Sequence, residues 1–486
     1  MTLEKATLPV PHFDQITLDQ LKEKIETAIQ NGQNFLNELS AVPDSLQQQL
    51  HILEKIDTLE NNMSEAWGVL SHLNAVMNNT ETREAYQALL PNLSEYYTQL
   101  GQHVPLYQSY QHVHDASIFD TLPPAQQSAI KLALRDFKLS GVALEGDAKK
   151  RYAEISARLS QLSSDFSNHV LDATQVYFKP LTEEQLEGLP TSSIELLKQY
   201  GQQRDLDQAV ATLDMPSYIA IMTYAKDRAV REALYHAYTT RASELGRHPE
   251  FDNTPVMQEI LALRQEMAQL LGFQNYAELS LASKMAPSVK SVQDFLIDLA
   301  QHARLPAEHD MTELTNIAKQ DGIDDLQPWD TGYYSEKLKV AKFNLSQEDL
   351  KPYFPAPKVI QGLFAVVQRL YGVEIIEREA PVWHPDARYF ELQDQGIVIG
   401  GFYFDLYARS GKRGGAWMSG FRSRMQTENG LQKPICYMVC NFTPPVGNQP
   451  ALLTHDEVTT LFHEFGHGLH HMLTEVDNIA VAGTHG

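Results

Sequence analysis

A chain of 486 residues with 43% hydrophobic and 21% charged side chains can bury a large core, and its length suits two or three soluble globular domains. The formal net charge of −23 argues against nucleic acid and anionic membrane surfaces as partners, because both are bound by clustered Lys and Arg. No run of about 18 apolar residues occurs, so no membrane-spanning segment is expected.

The N-terminus, MTLEKATLPVPHFDQITLDQL, lacks the basic start and apolar core of a signal peptide. From residue 16 to about 380 the pattern is helical. ITLDQLKEKIETAIQNGQNFLNEL (16–39), residues 45–78 and residues 85–104 carry apolar side chains at spacings of three and four. Pro123 and Pro124 suit a helix start, and 150–174 is another long amphipathic stretch. Residues 210–244 change from strand-like or turn-like to helical, and 252–286 reads as two helices separated by Gly272. Gly, Pro and Asp cluster in DGIDDLQPWDTGYY (321–334), which predicts a loop. Beyond about 381 the period shortens. RYFELQ, GIVIGGFYFDLYA and PICYMVCNFT read as strands, and SGKRGG (410–415) reads as a hairpin turn. Cys436 and Cys440, four residues apart on the last strand, stand roughly 13 Å apart and cannot pair with each other. A reducing cytoplasm and a monomer are expected.

The sheet hands the chain to LLTHDEVTTLFHEFGHGLHHML (452–473). Thr454 and Glu457 form a capping box there, with Leu453 and Val458 in the staple positions around it. At about 100° per residue, Val458, Leu461, Phe462, Phe465, Leu469, Met472 and Leu473 share one broad face. His463 and His467 lie about 40° apart on the other side, the arrangement of H-E-x-x-H. Two imidazoles at i and i+4 can hold one zinc ion, with Glu464 displaced enough to act as general base on a water molecule. By composition, H-E-x-x-H arises by chance in such a chain on the order of a few per cent of the time, but chance does not also supply the cap and staple. His470 sits roughly 10 Å further along the axis, too far to share an ion with His463, which leaves it a supporting or channel-lining role. His471 is expected in solvent.

HEFGHGLHH, together with WGVLSHLNAVMN (67–78), DRAVREALYHAYTTRAS (227–243), residues 252–286, PWDTGYYSEK (328–337) and GGFYFDLYARSGKRGGAW (400–417), resembles the thimet oligopeptidase family of zinc metallopeptidases over nearly the whole chain. The resemblance implies a mainly α fold: two helical lobes around a deep channel, with one small β-sheet just before the zinc-binding helix. It also implies an endopeptidase hydrolysing short oligopeptides, with released signal peptides as one candidate substrate class, and with one Zn2+ per chain held by His463 and His467 and Glu464 as base. The third ligand of that family, a glutamate roughly 25 residues past the second histidine, would fall beyond residue 486. The chain therefore resembles the N-terminal two-thirds of such an enzyme, and in isolation it is expected to be inactive. The domain reading is 1–150 for an N-terminal helical lobe, 151–224 for connecting helices and 225–486 for the peptidase domain. Substrate-binding residues stay unassigned.

Two other classes compete. A di-iron helical protein would use Glu464 and His467 as Glu-x-x-His, but needs a second copy that the sequence lacks. A non-catalytic helical scaffold would bind no metal. Trp329, Tyr333 and Tyr334 are read as packing under the loop, and Arg422 and Arg424 as surface charge on one strand face.

Overall fold

The computed structural model describes residues 3–447 and 449–485. As the spacing predicts, the N-terminal part is a stack of long helices: α1 (Leu18–Glu38), α2 (Leu46–Val76), α3 (Thr80–Gly101), α4 (Val104–Asp115), α5 (Pro124–Leu139) and α6 (Gly146–Gln175). Thr17, Ser45 and Asn79 cap the first three with side-chain oxygens that accept the N–H three residues on. The apolar rows of α1 to α5 meet in one core that includes Ile25, Phe35, Leu70, Leu89, Tyr96 and Ile130. Gly32 lets α1 approach α3, since a Cβ there would stand 2.4 Å from the Tyr96 ring.

A short ribbon, β1 (Phe178–Pro180) paired with β2 (Val210–Thr212), brackets α7 (Thr191–Gln202). Next come α8 (Met215–Tyr224), α9 (Arg228–Thr239), α10 (Thr254–Leu270), α11 (Tyr276–Leu281), α12 (Val289–Gln320), α13 (Pro328–Phe343), α14 (Gln347–Leu350) and α15 (Ala356–Tyr371). The turn at Gly272 takes φ +85°, a conformation that favours glycine. Residues 328–334 are helical, not a loop. Pro328 occupies the first turn, where its missing N–H is harmless, and Asp330 closes a capping box with Gln327. Asp330 is fully buried because it also receives Arg228 and Arg231, the latter at 2.8 Å. Burial would raise its carboxyl, but hydrogen bonds from both arginines hold it below the usual range. Trp329 lies against His236 and Tyr235, and Tyr334 packs with Leu314 and Ala318 of α12.

The sheet region holds β3 (Glu374–Arg378), β4 (Arg388–Asp394), β5 (Ile397–Tyr407), β6 (Trp417–Arg422), β7 (Met425–Thr427), β8 (Gly430–Gln432) and β9 (Ile435–Phe442). Five of these form a mixed sheet in the order β3-β4-β5-β9-β6, with β5 and β9 parallel, and β7 and β8 pair separately. β9 inserts between β5 and β6, so SGKRGG is a crossover connection, not a hairpin turn. Buried on both faces, β9 is an almost continuous apolar run. Phe390, Phe402, Phe404, Cys436 and Met438 point to one side, under α15 and the last helix. Tyr389, Tyr403, Tyr437 and Val439 point to the other, where α2 brings Val69 and Val76. His72 of α2 stacks on Tyr437 at 3.8 Å, and burial pushes its imidazole down to about 3, so it is neutral.

The crossover loop fastens the end of α2. Arg409 donates to the Val76 carbonyl at 2.8 Å, and the Arg413 N–H to that of Ala75 at 2.8 Å. These occupy carbonyls that the helix itself leaves free. Asp405 anchors the loop: Arg409, the buried Lys412 and the Trp383 indole N–H all donate to its carboxylate at 2.6–2.8 Å. Arg422 and Arg424 do not share a strand face. Arg422 forks onto Glu65 of α2, and Arg424, beyond the end of β6, pairs with Asp477.

Candidate metal centre

The helix α16 (His455–Met472) begins where the cap signals place it. Thr454 Oγ1 accepts the Glu457 N–H at 3.1 Å, and Glu457 Oε2 accepts the Thr454 N–H at 2.8 Å. Glu457 does more than the sequence signalled: its Oε1 accepts the N–H and hydroxyl of Thr443, tying the helix start to the end of β9. Leu453 and Val458 join the same core, as a staple requires.

Of the expected face of α16, Leu461, Phe465 and Met472 are buried and Val458, Leu469 and Leu473 pack against the same core, and the buried face extends to Glu464, Gly468 and His471. Phe462 is 38% exposed and lies outside it. The reason is the sheet below. A Cβ on Gly468 would stand 2.8 Å from Met438 Sδ, so this glycine presses the helix onto β9. Gly466, by contrast, faces open space. Gly466→Ala is therefore expected to stabilise by up to about 1 kcal/mol through helix propensity, and Gly468→Ala to destabilise by roughly 1–2 kcal/mol through overpacking. Urea midpoints shifting in the same direction for both would show that the helix is not held against Met438.

His471 is buried, not solvated. Its Nε2–H donates to the Arg422 carbonyl at 2.9 Å, between Gly420 and Gly483, where added Cβ atoms would crowd the histidine. Burial lowers its pKa. His470 is exposed.

His463 and His467 are both exposed on the same side, and their Nε2 atoms approach to 3.2 Å. Two nitrogens each about 2.0–2.1 Å from one tetrahedral zinc stand about 3.3 Å apart. The pair thus has the separation that two vertices of a zinc site demand. Glu464, one residue along, is 8% exposed, at the border of the buried face. Among the described residues, no group of three His, Cys, Asp or Glu side chains is placed to hold a metal ion. A cavity of about 750 Å³ runs beside the first turns of α16, bordered by Met215, Ile219, Tyr224, Leu452, Glu457 and Thr460. Thr460 lies one turn before His463 and Glu464.

Residues 221–485 match the family model of Peptidase family M3, and residues 25–149 match that of the Neurolysin/Thimet oligopeptidase N-terminal domain. The chain belongs to peptidase family M3. That family consists of metallopeptidases and is zinc-dependent in general. The M3 chain is 47% identical to oligopeptidase A of Escherichia coli over 96% of its own length and 68% of that protein's. Identity to oligopeptidase A of Salmonella typhimurium is 51%, over 86% of this chain and 62% of the relative. For oligopeptidase A of Haemophilus influenzae it is 45%, over 98% and 71%. The chain thus spans 62–71% of the length of these relatives.

Proposed function

We propose that His463 and His467 are two of the three protein ligands of one zinc ion, and that Glu464 is the general base of a peptidase acting on short oligopeptides. The observation that carries this is the 3.2 Å approach of the two Nε2 atoms beside Glu464 on one capped helix. Bound there, zinc would supply the Lewis acid that makes a water molecule acidic near neutral pH. Glu464 would take the proton of the attacking water and deliver it to the leaving nitrogen of the peptide. The helix cap, Glu457 on Thr443 and Gly468 on Met438 hold both imidazoles at a set height above the sheet. The third ligand would come from outside the described residues, as the resemblance implies. Released signal peptides as substrates, a cytoplasmic location and a monomeric state belong to the same proposal. The buried free thiols of Cys436 and Cys440, both pushed up by burial, suit a reducing compartment.

Cobalt titration, with zinc competition, tests the ligand roles. His463→Ala and His467→Ala are each expected to weaken binding by about tenfold or more. Glu464→Gln is expected to leave metal affinity unchanged within about twofold, because the amide keeps the shape and loses only the basicity. Affinity unmoved by both histidine substitutions would remove the site, and strong loss in Glu464→Gln would make that residue a ligand.

A further inference from the structure

Positive charge is scarce in this chain, which carries 62 acidic residues against 39 lysines and arginines. One cavity reverses that balance. It has a volume of about 460 Å³ and lies between the C-terminal end of α6, α9 and the loop that joins α9 to α10. Arg241, Arg247, His236 and His248 border it, and among the described residues no Asp or Glu does. Leu213 and Ala237 contribute apolar wall. Elsewhere the arginines meet carboxylates: Arg228, Arg388 and Arg422 each pair with one at 2.6–2.8 Å. Arg241 instead stacks on the Tyr238 ring at 3.7 Å, and Arg247 lies over Tyr177 at 5.4 Å. Arg241 donates one hydrogen bond to the Tyr238 carbonyl, while its Nε is buried without a hydrogen-bond partner among the described residues. A buried charged donor without an acceptor is costly, and an anion supplies the acceptor. The loop between the two arginines is fixed by its own bonds. Ala242 takes φ +52°, uncommon for a residue other than glycine, and its carbonyl accepts the Asn253 N–H at 3.1 Å. The Gly246 N–H donates to the Ser243 carbonyl at 2.9 Å.

We propose that this cavity binds a small phosphate-bearing anion, either inorganic diphosphate or the diphosphate of a nucleotide. Guanidinium forks match phosphate oxygens in pairs, with planar geometry that a lysine lacks. Two of them bordering one small cavity suit the multiple charge of a phosphate better than the single charge of a carboxylate. Walls of one sign with apolar surface between them concentrate the field on such a ligand. The volume falls within the range of small-molecule sites. The bound anion would link the end of α6 to the α9–α10 loop, so it is expected to raise the melting temperature of the chain. None of these residues lies on α16, and the inference stands apart from the zinc reading.

Calorimetric titration of the chain, dialysed free of metal, with pyrophosphate and with ADP tests it. One saturable site with a Kd below about 1 mM is expected. Tighter binding of ADP identifies a nucleotide as the source, and equal binding identifies the diphosphate group alone. Arg247→Gln alters an exposed side chain and is expected to weaken binding by about tenfold or more, with the circular dichroism unchanged. Arg264→Gln removes the same charge from α10, where Arg264 lies over Tyr276, and is expected to change the Kd by less than about twofold. Should Arg247→Gln fail to fold, Arg247→Lys, which keeps the charge and loses the fork, must weaken binding by about threefold or more. Equal weakening by the substitutions at 247 and 264 would overturn the site, because diffuse charge would then explain the binding. So would the absence of saturable binding up to about 10 mM pyrophosphate. Citrate binding as tightly as pyrophosphate would overturn the assignment to phosphate.

Discussion

Asp405→Asn is expected to cost this chain about 3–5 kcal/mol, because it strands buried cations without their anion. Lys412 is 4% exposed, and its three acceptors are the Asp405 carboxylate and carbonyl and the Tyr407 carbonyl. Burial lowers the Lys412 ammonium to about 8, with Asp405 opposing the fall. An amide at 405 keeps the shape but leaves Lys412 and Arg409 facing a neutral group. The loop would then release the Ala75 and Val76 carbonyls, and with them the seat of α2 on the sheet. Burial would raise the Asp405 carboxyl, but hydrogen bonding from Arg409 and the charges of Lys412 and Arg409 hold it at about 2. A folded-state pKa below the unfolded value of 3.8 means that this stabilisation is fully present above about pH 4 and fades as pH falls toward 2. Urea unfolding at pH 7 and pH 3 measures both effects. A loss at pH 7 under about 1 kcal/mol would show that the cluster is not holding the loop.

Continuing this chain past residue 486 with the corresponding part of Escherichia coli oligopeptidase A is expected to raise zinc affinity by about a hundredfold and to bring peptide cleavage with it. A zinc ion on the two proposed imidazoles would find no third His, Cys, Asp or Glu ligand among the described residues. Second-shell support alone is commonly worth tenfold to a hundredfold, and a ligating carboxylate contributes no less. A quenched-fluorescence peptide assay of both chains, with Glu464→Gln in the longer one, reads the outcome. The substitution should abolish turnover while zinc stays bound. Comparable turnover by the shorter chain would sink this reading and require a third ligand among its own residues.

The amino-acid sequence by itself determined what depends on neighbours a few residues away. The cap at Thr454 and Glu457, the spacing that brings His463 and His467 together, and the three-and-four rows of α1 to α3 are local, and each appears where the pattern puts it. One local signal misled. Gly332 and Pro328 in PWDTG suggested a loop, yet that proline suits a first helical turn, and Gly332 sits where a Cβ would stand 3.1 Å from the Met222 carbonyl. Only the tertiary structure decided the rest, because it depends on partners far along the chain. Spacing within a strand does not reveal which strand lies beside it, so β9 entering between β5 and β6 was hidden, and SGKRGG passed for a hairpin turn. The same holds for α16. A helical wheel ranks faces by hydrophobicity, but the sheet selects the face that fits closest, and Gly468 over Met438 extended the buried face to Glu464 and His471 and left Phe462 in solvent.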